Sequence, residues 1–234
     1  MQIRYEFNNK NFNLIPGAPI AYWVSQKFVK PFEVGSLLVD LIPVKKGMDT
    51  GDNDKYLRLW YETDYTKIDF FNHSKVYIPY DKGGDFRRWY GNNDYVLNWK
   101  NDGYELKHSK ANLRSMHLYF KPSITWSALT SYLSSFRYSS FNGCFDSAGS
   151  SMFPEKTKTN YYLGYCNSVL ANYFLDVINP TLNYGAGSVG MLPVINKIFD
   201  IDEIDKIVNQ NISKSKKDWD SFETSWDFKK HPLI

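Results

Sequence analysis

Apolar residues recur in short alternating runs over the first part of the chain and at three- and four-residue spacing after about residue 150. Pro16, Gly17, Ala18 and Pro19 read as a turn into a helix over Ile20 to Lys30, closed by Pro31. Ser36 to Pro43 reads as a buried strand, and Tyr56 to Tyr61 as a second strand paired with it across the polar loop Lys45 to Asp54. Further strands are predicted at Lys75 to Tyr80, Tyr95 to Trp99, Ser123 to Leu129 and Phe136 to Ser139. Then the period changes. Leu163, Cys166, Leu170, Phe174 and Val177 share one helical face, which predicts a single helix from Tyr161 to Ile178, stopped by Asn179 and Pro180. Asp200 and Glu203 have capping-box spacing before a further apolar stripe. Trp219, Phe222 and Trp226 line one face of a last helix, Lys217 to Phe228.

This pattern predicts an α+β fold, strand-rich in its middle, with a helical flank over residues 1–35, a main domain over 36–195 and a helical tail over 196–234. The 234 residues suffice for a real core, and the 18% aromatic content argues against disorder. Two cysteines do not make a disulfide framework, and the polar start with Arg4, Glu6 and Lys10 does not read as a signal peptide, so a cytoplasmic location is expected. Asn167, Ser168, Asn172 and Asp176 interrupt the most apolar stretch, so no membrane span is expected. The net charge of +3 is unevenly placed. Between Glu105 and Asp146 there is no carboxylate, whereas Lys107, Lys110, Arg114, Lys121 and Arg137 fall there. Such a segment suits a polyanion, or a solvated face balanced from elsewhere in the fold.

Several chemical motifs are excluded. Gly185 to Gly190 matches the dinucleotide fingerprint, but Pro193 follows too soon for the helix whose N-terminus would hold pyrophosphate. A glycine-containing connection into a strand fits better. Asn179-Pro180-Thr181-Leu182 is similar to the Asn-Pro-Pro-aromatic motif of amino-methyltransferases, yet lacks the second proline, the aromatic and any upstream glycine-rich cofactor loop. His73, His108, His117 and His231 show no ligand spacing with Cys144 or Cys166, so no metal is expected. Asp81 with Asp85, and Asp52 with Asp54, read as turn and capping residues. No catalytic residue is assigned.

Two stretches resemble the opening and closing elements of restriction–modification specificity domains. The first runs from Leu41 to Tyr56 and has a hydrophobic strand, then Gly47-x-x-Thr50-Gly51-x-Asn53, then an aromatic strand. The second, Tyr162 to Pro193, is similar to a helix of the Leu-x-Asn-Ser kind, with Tyr165-Cys166-Asn167-Ser168 at that place, then Asn-Pro-Thr, then a glycine-containing link. Three strings go further: Pro79 to Gly91 with Gly83, Gly84, Arg87, Arg88 and Trp89; Ile124 to Ser127; and Asp218 to Phe228 with Trp219, Phe222 and Trp226. In this order they resemble the PglX family, the adenine-specific DNA methyltransferases of bacteriophage-exclusion (BREX) defence systems. The resemblance covers the chain from about Phe12 onward.

The resemblance implies a DNA target-recognition region whose catalytic domain, with its S-adenosylmethionine, lies outside this sequence. The chain alone is expected to be no enzyme and to hold no cofactor. Double-stranded DNA, the catalytic domain and other phage-defence proteins are the expected partners. Lys45, Lys46, Lys82, Arg87, Arg88, Arg114 and Lys121 are candidates for phosphate contacts, with Gly83 and Gly84 letting backbone N–H groups approach an anion and Thr50 in the loop motif. Asn53 could read adenine, and Lys55 or Arg137 guanine. Other roles stand beside these: Asn53 could cap a turn, Arg87 and Arg88 could pair with Asp81, Asp85 or Asp94, and Trp89, Tyr90 and Trp126 suit a core. The tail aromatics could fold back or dock another protein. The alternative function is a protein-interaction module that does not touch DNA.

Overall fold

The computed structural model describes residues 14–19, 21–72, 74–130, 133–141, 143–195, 201–231 and 233–234. Among them the order is α1 (Gln26–Val34), β1 (Ser36–Leu37), α2 (Leu38–Leu41), β2 (Val44–Lys45), α3 (Asn53–Tyr56), β3 (Leu57–Leu59), β4 (Tyr77–Asp81), β5 (Tyr95–Asn98) and α4 (Lys100–Lys107). There follow β6 (Ser123–Trp126), β7 (Phe136–Ser139), β8 (Cys144–Phe145), β9 (Ser151–Met152), α5 (Thr159–Cys166), α6 (Val169–Ile178), α7 (Ala186–Gly190), β10 (Pro193–Val194) and α8 (Ile201–Trp219). The fold is α+β, as the pattern predicts.

One sheet has the order β2-β9-β6-β7, with antiparallel pairs such as Val44 with Met152 and Trp126 with Phe136. A second has the order β3-β5-β4-β8, antiparallel except where Tyr80 and Asp81 pair in parallel with Cys144 and Phe145. A two-stranded clasp pairs Ser36 with Val194 and Leu37 with Pro193. Each four-stranded sheet has its own apolar cluster. The first includes Phe28, Trp126, Phe136, Leu163, Phe174 and Val208, so its packing reaches across both predicted boundaries, 35/36 and 195/196. The second centres on Met48, Ile78, Leu97, Trp99, Tyr119 and Phe145. The two cysteines are buried in different clusters. No helix among the described residues is long and apolar enough to cross a membrane.

Several elements differ from the sequence pattern for identifiable reasons. Of the strand predicted over Ser36 to Pro43 only Ser36–Leu37 is strand, paired with β10; Leu38–Leu41 form α2, which turns the chain towards β2 beyond Pro43. The first helix runs past Pro31 to Val34, since the Pro31 carbonyl still accepts from Gly35 N–H at 3.0 Å. The long helix from Tyr161 is broken in two. Asn167 exchanges both its amide hydrogen bonds with the Phe136 backbone, at 3.0 and 2.9 Å, and Ser168 Oγ accepts from Ala171 N–H to cap α6. The polar residues that interrupt the apolar stretch are therefore the break itself. The expected cap Asp200 lies outside the described residues.

The tail also departs from its predicted helix. α8 ends at Trp219, and turns follow, in which Lys216 Nζ holds Asp220 at 2.7 Å and Asp227 at 2.5 Å. Trp226 then lies against Phe70 and Phe141, with ring centroids 5.0 and 4.7 Å away. Trp60 Nε1 donates to Thr224 O at 2.8 Å. Trp219 and Trp226 thus fold back on this chain, while Phe222 is 52% exposed. Gly185 leads into the short α7 and then β10, a connection into a strand. Asn179, Thr181 and Asn183 hydrogen-bond one another in an exposed turn.

Candidate functional site

The loop after β2 and the glycine loop after β4 meet across a third segment, Asp146 to Ala148. Met48 N–H donates to Phe145 O, and Ser147 N–H returns a bond to Met48 O, both at 2.9 Å. On the other side Asp146 N–H donates to Asp81 O at 2.9 Å. The parallel pairing of β4 with β8 continues through these bonds, so Asp146 lies between the two motifs. Its buried carboxylate accepts from Tyr80 OH at 2.8 Å, from Lys82 Nζ at 2.7 Å and from Ala148 N–H at 2.7 Å. Together Asp49 to Asn53, Lys82 and Asp146 to Ala148 line an open depression of about 370 Å³.

Close approach explains the glycines here. A Cβ on Gly47 would overlap the Phe145 carbonyl oxygen. Gly83 and Gly84 adopt φ of +95° and +122°, in the region that side chains disfavour, and Gly83 lies against Ala148 O.

The Thr50–Asn53 loop is tied internally. Buried Thr50 donates to Asn53 Oδ1 at 2.6 Å, and Asp52 Oδ1 accepts from Lys55 N–H at 3.0 Å as the cap of α3. Asp52, rather than Asn53, holds the cap position, and Asn53 remains exposed. Asp49 is bonded to Arg114. Burial alone would raise the Asp49 carboxyl, but hydrogen bonds from Ser147 and Arg114 and the charges of Arg114 and Lys46 hold it below its ordinary value.

The basic segment after Glu105 is placed alongside this loop. Asp49 and Asn112 exchange backbone hydrogen bonds at 3.0 and 2.8 Å, and Ser115 Oγ donates to Lys46 O at 3.3 Å. Gly51 packs on the Lys110 backbone. Exposed Lys45, Lys46 and Lys110 thus belong to neighbouring segments, and none makes an ion pair with another described residue. Lys121 is likewise exposed, further along, beyond Phe120, whose N–H donates to Gly143 O.

Other predicted contacts are engaged within the protein. Lys55 pairs with Glu105 at 2.5 Å, which raises its pKa. Arg87 pairs with Asp218 at 2.9 Å and stacks on Trp219, its guanidinium carbon 4.8 Å from the ring centroid. Arg88 lies over Phe86 at 5.5 Å, and its Nε is buried without a hydrogen-bond partner among the described residues.

Arg137 requires a correction. Expected at a guanine edge, it is 1% exposed and faces inward from β7. Its guanidinium donates to Arg87 O and to Ser127 Oγ, both at 3.3 Å, and Ser127 Oγ donates to Gly84 O at 2.7 Å. It supports the glycine loop from below. Burial lowers the Arg137 pKa to about 10 against the opposing charges of Asp81 and Asp94, and burial pushes the Asp81 carboxyl up to about 6. Trp126 and Tyr90 are buried. Trp89 is packed against the first cluster with φ of 75°.

Sequence reasoning missed Asp146 and Asp218. Asp146 is the first carboxylate after the long carboxylate-free run, which is a usable signal. Asp218 has no such local mark, since its partner is distant in sequence.

No family model matches the chain. In sequence it is similar to adenine-specific methyltransferases. It is 36% identical to the adenine-specific methyltransferase PglX of Lacticaseibacillus casei (strain Zhang), over 98% of this chain and 20% of that protein. It is 37% identical to the adenine-specific methyltransferase BrxX of Escherichia coli O9:H4 (strain HS), over 96% of this chain and 18% of that protein. The resemblance drawn from the motifs therefore holds along nearly the whole chain, which spans about a fifth of the relatives it matches.

Proposed function

We propose that this chain is the DNA target-recognition region of an adenine-specific methyltransferase of the phage-exclusion type. The observation that carries this reading is the similarity to one fifth of two such methyltransferases along almost the entire chain. Methyl transfer and S-adenosylmethionine binding then belong to the remainder of the parent enzyme. An adenine amine inside a duplex is out of reach, so the base must leave the stack at a cost of a few kcal/mol. A second grip on the DNA offsets that cost.

In this reading Lys45, Lys46 and Lys110 make the phosphate contacts, and Asn53 with the rim of the depression faces the bases. Arg114, held by Asp49, orients the loop. Lys82 is tied to Asp146 and organises the glycine loop, whose backbone faces the duplex. The test is fluorescence anisotropy of this chain with a labelled duplex of mixed sequence, titrated with salt. Over four to six phosphates, log K falls by about 0.9 per released counterion for each tenfold rise in salt. Absence of binding at low salt would overturn the reading.

One observation favours a protein partner as well. Val169, Leu170 and Tyr173 on α6 are 85%, 54% and 46% exposed. This apolar face suits the catalytic domain or another defence protein. A chain that binds such a partner and no DNA would be an interaction module instead.

A further inference from the structure

Arg87 is held through both its backbone and its side chain. Its backbone N–H donates to Ser135 Oγ at 3.3 Å and its carbonyl accepts from buried Arg137 at 3.3 Å. Its guanidinium lies over two rings of the C-terminal segment, 4.8 Å from the Trp219 centroid and 6.0 Å from that of Phe222. Gly91 leaves room for this packing, since a Cβ there would stand 2.8 Å from Arg87 Cδ and 2.9 Å from Trp219 Cε3. The end of α8 is fixed independently: Ser215 Oγ reaches Arg88 O at 2.9 Å and Tyr90 O at 3.0 Å. The guanidinium therefore keeps its place whether or not it has an anionic partner.

Its partner is a carboxylate in an unfavourable position. Asp218 lies in the last turn of α8, where the negative end of the helix dipole disfavours an anion. The Asp218 side chain is 62% exposed, against 27% for Arg87, so water reaches the pair. Asp94 and Asp85 also act on this neighbourhood, Asp94 by its charge on Arg87 and Asp85 by its charge on Asp94. Among the described residues only Asp218 forms an ion pair with Arg87. An exposed pair of this kind is weak and exchanges readily.

We propose that Asp218 is a displaceable stand-in for a DNA phosphate, so that the C-terminal segment masks Arg87 until a duplex backbone replaces the carboxylate. The proposal rests on the DNA-recognition reading. A phosphate oxygen would take the place of Asp218 Oδ2, and the carboxylate would turn to water, with no bond made or broken. The two rings would keep the guanidinium oriented during the exchange, so little ordering cost would accompany it.

The test is a double-mutant cycle on this chain, read by anisotropy with a labelled duplex of mixed sequence. Asp218→Asn should tighten binding by about threefold to fivefold, the range of an exposed ion pair. Glu223→Gln, which removes an exposed carboxylate one turn further on, should do less. In an Arg87→Gln background the gain from Asp218→Asn should vanish. A gain that persists without Arg87, or matches that of Glu223→Gln, is a general charge effect and overturns the mask. A wild-type chain that binds steeply with salt but is unchanged by Asp218→Asn overturns the mask alone. No binding by any variant at low salt overturns the mask and the DNA-recognition reading together. Thermal melting of each variant separates these results from unfolding.

Discussion

The cations after β4 and those flanking the loop after β2 look alike in sequence and differ in use. Lys82 is held by Asp146, Arg87 by Asp218 and Trp219, and Arg88 lies over Phe86. Lys45, Lys46 and Lys110 are exposed, with no ion pair to another described residue. The first group organises a loop of positive-φ residues, Gly83, Gly84, Trp89, Gly91 and Asn92, that could not hold its shape unaided. The second group is free to meet a polyanion. Counting positive residues therefore measures two quantities at once, loop stability and external charge.

The largest expected effect tests whether the two loops form one unit. Gly47→Ala forces a Cβ into the Phe145 carbonyl, where only backbone can yield. It should cost more than about 3 kcal/mol, seen as a fall in denaturation midpoint, and it should also disturb the depression. A variant of wild-type stability would show that the loop can move independently.

Arg137→Ala comes next. Removing a buried cation leaves Asp81 and Asp94 uncompensated and the Arg87 carbonyl without its donor. A loss of about 3 kcal/mol is expected, lowering the melting temperature by roughly 6–12 °C. If Arg137→Ala melts normally and instead changes sequence preference, the residue reads DNA after all.

The exposed group makes the opposite prediction. Lys45→Ala with Lys46→Ala should leave melting unchanged, weaken DNA binding about tenfold and reduce the salt slope by about 1.8. Lost stability with unchanged binding would reverse the comparison.

A last effect is on pH dependence. Because burial raises the Asp81 pKa to about 6 from an ordinary 3.8, the folded chain retains between these values a proton that the unfolded chain has released. The Asp81 contribution to stability therefore declines as pH rises through this window. Asp81→Asn should flatten that part of the stability profile, measured by denaturant melts at pH 4, 5, 6 and 7.

Much of the sheet was legible. Phe136–Ser139 matches its predicted strand, and Tyr95 and Ser123 begin theirs, because alternation and flanking turn residues act locally. The strand expected from Ser36 was not, since only Ser36–Leu37 pair, with a partner late in the chain, and Leu38–Leu41 turn as a helix. The two loop motifs were visible as glycine and polar strings, but their meeting across Asp146 depends on the non-local pairing of β4 with β8. Arg137 misled because its strand is covered on both faces: Phe136, Arg137 and Ser139 are all buried, so parity gave no outward position. The tail was misread for a similar reason, as turns built on Lys216 replace the helix that its aromatic spacing suggests.

The clasp of β1 with β10 bears on how the chain between them could be moved into another protein. Ser36 enters and Val194 leaves side by side, so the intervening chain starts and finishes at one place. A graft joined there would impose little change of distance on its host. Phe28 from α1 and Val208 from α8 complete the first apolar cluster, however, and would have to travel with the insert. The portable unit is the clasp together with the two helices that close over it.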